Sequence, residues 1–235
     1  KSSTLEMMAP EVKEPALALA FNRRIAQDIQ QRLPGNFTAK TLNSLGHSAW
    51  IRGQNLQHVK IDERKIGNLI TQIGKESKTR LSSEQWTWSR QLTEKAMQEG
   101  LRSSRWKDRP EGAELMADTE ENWQSLAGEV GVPSEDVPIV LDIAREALLR
   151  GTELALQGQM SFDDQIYCPI VLGGAWPKFP TIFVDESQDL SRMNHLMIQQ
   201  CLRNGGRLAV VGDELQAIYA WRGADSQSMK SMRSL

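Results

Sequence analysis

Two short apolar runs that end in carboxylates constrain this chain more than any other feature. Residues 181–189 read Thr-Ile-Phe-Val-Asp-Glu-Ser-Gln-Asp, and residues 210–225 read Val-Val-Gly-Asp-Glu-Leu-Gln-Ala-Ile-Tyr-Ala-Trp-Arg-Gly-Ala-Asp. Each opens on aliphatic, β-branched residues, the pattern of a buried strand. Between them Ser191 can cap a helix, Met193, Leu196, Met197 and Cys201 recur at helical spacing, and Asn204-Gly205-Gly206 stops it. Strand, helix and strand within the 27 positions from Asp185 to Gly212 suit a right-handed βαβ unit. In an open α/β sheet, ligands bind at the carboxyl ends of parallel strands. Asp185/Glu186 and Asp213/Glu214 are therefore expected side by side at one sheet edge.

That arrangement has a chemical use. An aspartate at a strand end can hold Mg²⁺, directly or through water, and the metal then bridges nucleotide phosphate oxygens. The neighbouring glutamate can orient or deprotonate an attacking water. A lone Asp-Glu pair is most often a solvated acidic turn. Here it follows Ile-Phe-Val, precedes Gln188-Asp189, and is followed by a second strand ending in Gly-Asp-x-x-Gln-x-Ile-Tyr-x-Trp-Arg-Gly-Ala.

These two stretches resemble motifs II and III of superfamily 1 DNA helicases of the UvrD/Rep/PcrA type. Val184-Asp185-Glu186-Ser187-Gln188-Asp189 is similar to that family's Walker B box, and Gly212 to Ala224 is similar to its motif III. By this resemblance Asp185 ligates Mg²⁺, Glu186 is the catalytic carboxylate, and Gln216 contacts the γ-phosphate or the attacking water. Tyr219, Trp221 and Arg222 follow at once. An aromatic platform stacks any base, at roughly 1–3 kcal/mol each, and Arg222 can add a phosphate or cation–π contact. A phosphate sensor a few residues from a base stacker gives hydrolysis a short path to DNA movement. Tyr219 and Trp221 could equally pack in the core after the strand; Trp221 is the better DNA candidate.

The rest of the chain can be read beside these motifs. It opens Lys1-Ser2-Ser3-Thr4. A phosphate-binding P-loop ends in Gly-Lys-Ser/Thr and runs into a helix, so the chain looks as if it starts at the lysine of that box. By resemblance, Lys1 reaches the β/γ-phosphates, Ser2 ligates Mg²⁺, and Ser3 lies in the same ATP-binding segment, with one helix over about Ser2–Ala9. Residues 16–21 read as a buried strand. Asn22 is a plausible N-cap, Ile25, Ile29 and Leu33 mark an amphipathic helix, and Pro34-Gly35 ends it. Phe21 and Asn22 look like motif Ia, which touches single-stranded DNA in this family. Residues 37–50 read as a strand entering a helix. They resemble the Thr-Phe-His-Ser-x-Gly box at Thr41, Ser44 and Gly46, with Leu42 and Asn43 in place of Phe and His. Thr41 and Asn43 become DNA-contact candidates, since asparagine can still hydrogen-bond a phosphate or base.

Residues 52–157 differ in character. Strand signals vanish, and short helical patterns are interrupted at Gly100, Pro110, Gly112, Gly128, Gly131-Val132-Pro133 and Gly151; Val137–Leu156 reads as the longest helix. Gly100–Arg109 carries four basic residues, and residues 111–121 carry five carboxylates and no base. The basic stretch with Trp106 can be read as a DNA contact or, more simply, as a solvated helix face with an anchored tryptophan. Ser161-Phe162-Asp163-Asp164 looks like the family's Phe-Asp-Asp-Leu box. Asp163 or Asp164 can cap a helix there, which is reason enough for them locally.

Composition sets bounds. The chain has 235 residues, 40% hydrophobic and 25% charged, with a net charge of −2. A basic footprint for nucleic acid must therefore be local. Cys168 and Cys201 have no metal spacing and read as reduced core residues. No apolar run long enough to span a membrane, and no signal peptide, is visible.

The expected fold is α/β: a RecA-like P-loop NTPase domain with a parallel sheet, formed by residues 1–51 and 158–235, carrying an inserted all-helical subdomain over 52–157. The resemblance implies an ATP-dependent DNA helicase and single-strand translocase that uses ATP and Mg²⁺. It implies movement 3′ to 5′, single-stranded DNA and single-strand/duplex junctions as partners, and a cytoplasmic, bacterial or phage-encoded protein. The family's second RecA-like domain is not in this chain, so the chain alone is expected to hydrolyse ATP weakly or not at all. Two other readings stay open: a DNA-binding or regulatory module with a degenerate ATPase site, and a nucleotide-binding domain unrelated to DNA.

Overall fold

The computed structural model describes residues 2–106 and 114–213. In chain order these form α1 (Ser2–Met8), a 3₁₀ turn (Ala9–Glu11), β1 (Ala16–Ala20), α2 (Arg23–Arg32), β2 (Phe37–Thr41) and α3 (Leu42–Gln54). Next come β3 (Lys60–Ile61), α4 (Lys65–Glu76), α5 (Ser83–Gln98), β4 (Leu101–Arg102), β5 (Met116–Ala117), α6 (Glu120–Val130), α7 (Val137–Leu156), β6 (Gln159–Met160) and α8 (Asp164–Val171). The last are β7 (Phe179–Val184), a 3₁₀ turn (Ser187–Asp189), α9 (Arg192–Cys201) and β8 (Leu202–Val210). The described contacts gather into two units. One comprises the residues up to Ala49 and those from Ala175 on; the other is Trp50–Gly174.

The first unit is a parallel sheet in the order β2-β1-β7-β8. Every residue of the central strand β1 is buried, as expected of a strand covered on both faces. Its sequence alternates alanine and leucine for a packing reason. The small Ala16 and Ala18 lie between Phe37 on β2 and Phe183 on β7. They leave room for the two rings to meet across β1 at 4.9 Å between centroids. Leu5 and Ala9 of the first helical segment and Ala26, Ile29 and Leu33 of the α2 segment close over the same face. Asn22 caps α2 by accepting the Ile25 N–H at 2.9 Å, and Ser191 caps α9 in a reciprocal capping box with Asn194. The periodic residues Met193, Leu196, Met197 and Cys201 are all buried.

One boundary departs from the apolar pattern. β8 begins at Leu202, directly after α9, not after the glycines. Leu202 pairs with Phe179 and Arg207 with Thr181, so residues 203–206 loop out opposite Pro180. Gly205 is left-handed at φ +73°. A Cβ on Gly206 would meet the Arg203 carbonyl oxygen at 2.8 Å and the Pro180 carbonyl oxygen at 3.0 Å. The two glycines shape an irregularity inside the strand rather than simply ending the helix.

In the second unit α4, α5 and α7 pack on one another, and α6 lies on α5 and α7. The tryptophans of this region anchor its interior. Trp50 and Trp123 are fully buried, donating to Ala155 O at 3.2 Å and to Asp118 Oδ1 at 2.7 Å. Three details differ from the sequence expectation. Gly128 and Gly151 lie inside α6 and α7 instead of interrupting them. As far as Trp106 the basic stretch is not a helix face: Leu101 and Arg102 form the short β4 with Arg102 buried, and a turn follows with Trp106 half-buried. Finally, residues 158–174, expected with the sheet, pack with the helices. β6 pairs with β3, the Tyr167 hydroxyl donates to Leu101 O at 2.7 Å, and Gln54 Nε2 donates to Gly173 O at 3.2 Å.

A buried ion pair joins α4 to α8. Lys65 Nζ and Asp164 Oδ2 are 2.7 Å apart, with side chains 3% and 2% exposed. Both cysteines are free and buried. Burial pushes the Cys201 thiol up to about 12 and that of Cys168 well above its ordinary value, so neither is a nucleophile at neutral pH. Among the described residues, no helix is long and apolar enough to cross a membrane.

Candidate functional site

Because the four long strands among the described residues are parallel, their carboxyl ends share one edge. The registers align Ala20 with Thr41, Leu19 with Val184, and Val184 with Val210. Along that edge follow the β2 end with Thr41 and Asn43, the β1 end with Phe21 and Asn22, the β7 end with Asp185 and Glu186, and the β8 end leading to Asp213. Each apolar strand stops where polar groups would otherwise be driven into the core, so the chemistry collects at the rim.

The β7 end carries both carboxylates of the Asp-Glu pair. Asp185 is buried, 3% exposed. Its N–H donates to Leu19 O at 3.1 Å, which prolongs the β1–β7 ladder, and its Oδ1 accepts the Glu186 N–H at 2.9 Å. Glu186 then takes a left-handed conformation, φ +52° and ψ +45°. A non-glycine residue there costs on the order of 1–3 kcal/mol and persists only where its surroundings enforce it. They do so on both sides. Val211 N–H donates to Val184 O at 2.9 Å and Ser187 N–H to Val211 O at 3.0 Å, so the β8 chain grips the turn before and after Glu186.

Gln188 completes the turn. Its side chain is buried; Nε2 donates to Glu186 Oε2 at 2.8 Å and Asp189 Oδ2 at 3.3 Å, while Oε1 accepts the Asp213 N–H at 3.0 Å. The residue was legible as part of the Asp-Glu-Ser-Gln-Asp run, but spacing alone gives it no role; only the fold brings the Asp213 N–H to it.

The other candidates are distributed as follows. Asn22 is exposed, with its side-chain oxygen engaged in capping α2. Phe21 and Asn43 are half-buried. Thr41 Oγ1 accepts the Ser44 N–H at 3.2 Å, which starts α3. Ser3 is exposed on α1, and Ser2 opens that helix. Lys1, Glu214, Gln216, Tyr219, Trp221 and Arg222 lie outside the described residues. The buried Asp185 carboxylate offers hard oxygen donors at the strand end. That suits Mg²⁺, which is held by one or two carboxylates together with water and phosphate oxygens.

A parallel α/β sheet with a buried aspartate and a constrained glutamate at its carboxyl edge is the frame of a RecA-like domain. The chain belongs to the UvrD/REP helicase family: the model of the UvrD/REP helicase N-terminal domain matches residues 6–235. It is 39% identical over 80 residues to the ATP-dependent DNA helicase PcrA of Bacillus subtilis (strain 168), a stretch covering 31% of this chain and 11% of that protein. It is 36% identical over 87 residues to the PcrA helicases of Staphylococcus aureus (strain NCTC 8325 / PS 47) and Staphylococcus epidermidis (strain ATCC 12228 / FDA PCI 1200), covering 34% of this chain and 12% of each. The match thus spans little more than a tenth of the length of these relatives.

Proposed function

We propose that this chain is motor-domain sequence of an ATP-dependent DNA helicase that translocates on single-stranded DNA, 3′ to 5′, and acts at single-strand/duplex junctions. The sheet unit is the RecA-like ATPase body, and the helical unit is an insertion in it. One observation carries the reading: the strand ends holding Asp185, Glu186 and Asp213 share an edge with those holding Phe21, Asn22 and Thr41. Nucleotide chemistry and strand contact would then sit on one rim.

In this reading Asp185, with Ser2, would hold Mg²⁺, which would supply positive charge to offset that of the nucleotide phosphates. Lys1 and Ser3 belong to the phosphate-binding segment. Glu186 accepts a proton from the attacking water, held to that task by its constrained backbone. Gln216 contacts the γ-phosphate. Phe21, Asn22, Thr41, Asn43, Tyr219, Trp221 and Arg222 contact the strand, with Trp221 as the principal stacking residue.

The test is binding of a fluorescent oligothymidylate, followed by anisotropy. Trp221→Ala is expected to weaken binding by roughly 5- to 150-fold, the equivalent of about 1–3 kcal/mol of base stacking. Asp185→Asn is expected to remove the Mg²⁺ dependence of ATP-analogue binding. Undiminished strand affinity in Trp221→Ala, Tyr219→Ala and Arg222→Ala alike would contradict the DNA half of the proposal.

A further inference from the structure

The Gln188 side chain touches both acidic strand ends. It sits between the Glu186 carboxylate and the first backbone N–H past Gly212, with hydrogen bonds of 2.8 and 3.0 Å. A side-chain amide suits this bridge. It needs a donor toward the carboxylate and an acceptor toward the N–H, and the two partners fix which end points which way. Glu186 itself sits in an uncommon left-handed conformation, and Ser187 N–H is tied to Val211 O. The position of the glutamate is therefore referred, through backbone and side chain alike, to the chain leaving β8.

We propose that Gln188 is a positioning residue that couples the orientation of the Glu186 carboxylate to the segment following β8. The proposal rests on the reading of Glu186 as the base of ATP hydrolysis. The segment after β8 carries Gln216 and the aromatic pair Tyr219 and Trp221. A shift of that segment moves the Asp213 N–H, and Gln188 transmits the shift to Glu186. In this way the segment that carries the strand-contacting residues sets the catalytic competence of the glutamate.

The distinguishing variants are Gln188→Met, which keeps length and loses both hydrogen bonds, and Gln188→Glu, which keeps the acceptor toward Asp213 and loses the donor toward Glu186. They are compared in the full-length protein that carries this chain. The readouts are steady-state ATP turnover with and without oligothymidylate, and thermal unfolding. Both variants are expected to leave the KM for ATP within about twofold and to lower kcat by roughly ten- to a hundredfold, the range of a lost hydrogen bond to a charged group. The ratio of DNA-stimulated to basal rate is expected to fall toward one. A structural role alone would lower the melting temperature without moving that ratio. Should Gln188→Met fail to fold, Gln188→Glu carries the test by itself. Wild-type kcat and stimulation in a folded variant, or a loss confined to KM, overturns the coupling. Glu186→Gln separates the two claims. If it leaves turnover intact, the base assignment fails and the coupling falls with it. If it abolishes turnover while Gln188 variants behave as wild type, only the coupling fails.

Discussion

Lys65→Met should strongly destabilise the helical unit. The Lys65 ammonium donates to Asp164 Oδ2 at 2.7 Å, to Gln159 O at 2.9 Å and to Gly151 O. Asp164 Oδ2 also accepts the Ser161 N–H, and Oδ1 accepts the Cys168 thiol at 3.6 Å. Both side chains are at most 3% exposed, so water cannot replace a lost partner. Methionine fills the aliphatic space of the lysine but strands a buried carboxylate and removes the donor from two carbonyls. Breaking a buried pair from one side costs about 3–5 kcal/mol. The same principle gives a sharper expectation for the double variant Lys65→Met/Asp164→Asn. Its charge is removed with its counterion, so at least about 2 kcal/mol of the loss should return. Urea unfolding followed by tryptophan fluorescence reads this unit well, since Trp50, Trp86, Trp88, Trp106 and Trp123 all belong to it. A single-variant cost below about 1 kcal/mol, or strict additivity of the two changes, would refute the reasoning.

This pair also shows where sequence stops being informative. Asp164 is visible in the chain as a helix-start residue in a family-like Phe-Asp-Asp run, and Lys65 only as one lysine among many. The 99 positions that separate them carry no periodicity that joins them. The strand ends are the opposite case. Apolar runs that stop at carboxylates announce both the parallel sheet and its functional rim, and Asn22, Ser191 and the α7 span follow from local capping and periodicity. Short-range patterns fail where long-range packing decides. The start of β8 depends on room opposite Pro180, residues 158–174 are held to the helices by pairing and burial, and the stretch before Trp106 takes its shape from β5 rather than its own charges. Gln188 lies between these cases: its identity is conspicuous in the motif, but its bridge exists only once β8 is beside β7.

Two further outcomes can be checked. Gly158 is left-handed at φ +85°, and a Cβ there would run into the His58 carbonyl oxygen. Gly158→Ala should therefore cost roughly 1–3 kcal/mol and loosen the β3–β6 pairing; an unchanged urea midpoint would contradict this. At Asp118 burial raises the carboxyl pKa, but hydrogen bonds from Ser104 and Trp123 and the charge of Arg145 outweigh it and hold it below its ordinary 3.8. A depressed carboxyl stabilises the fold above its unfolded pKa and loses that contribution as pH falls through the folded value. Wild-type protein should lose more stability than Asp118→Asn as pH falls below about 4, and parallel losses would contradict it.

In the proposed function the carboxyl edge around Asp185 and Glu186 hydrolyses ATP in response to a DNA strand. The most direct measurement of this is Mg-ATP turnover by the full-length protein that carries this chain, with and without single-stranded DNA, for wild type and Glu186→Gln. The strand should stimulate turnover, and Glu186→Gln should lower it by at least about a hundredfold while nucleotide binding is retained. Turnover that ignores the strand, or that survives Glu186→Gln, would contradict it.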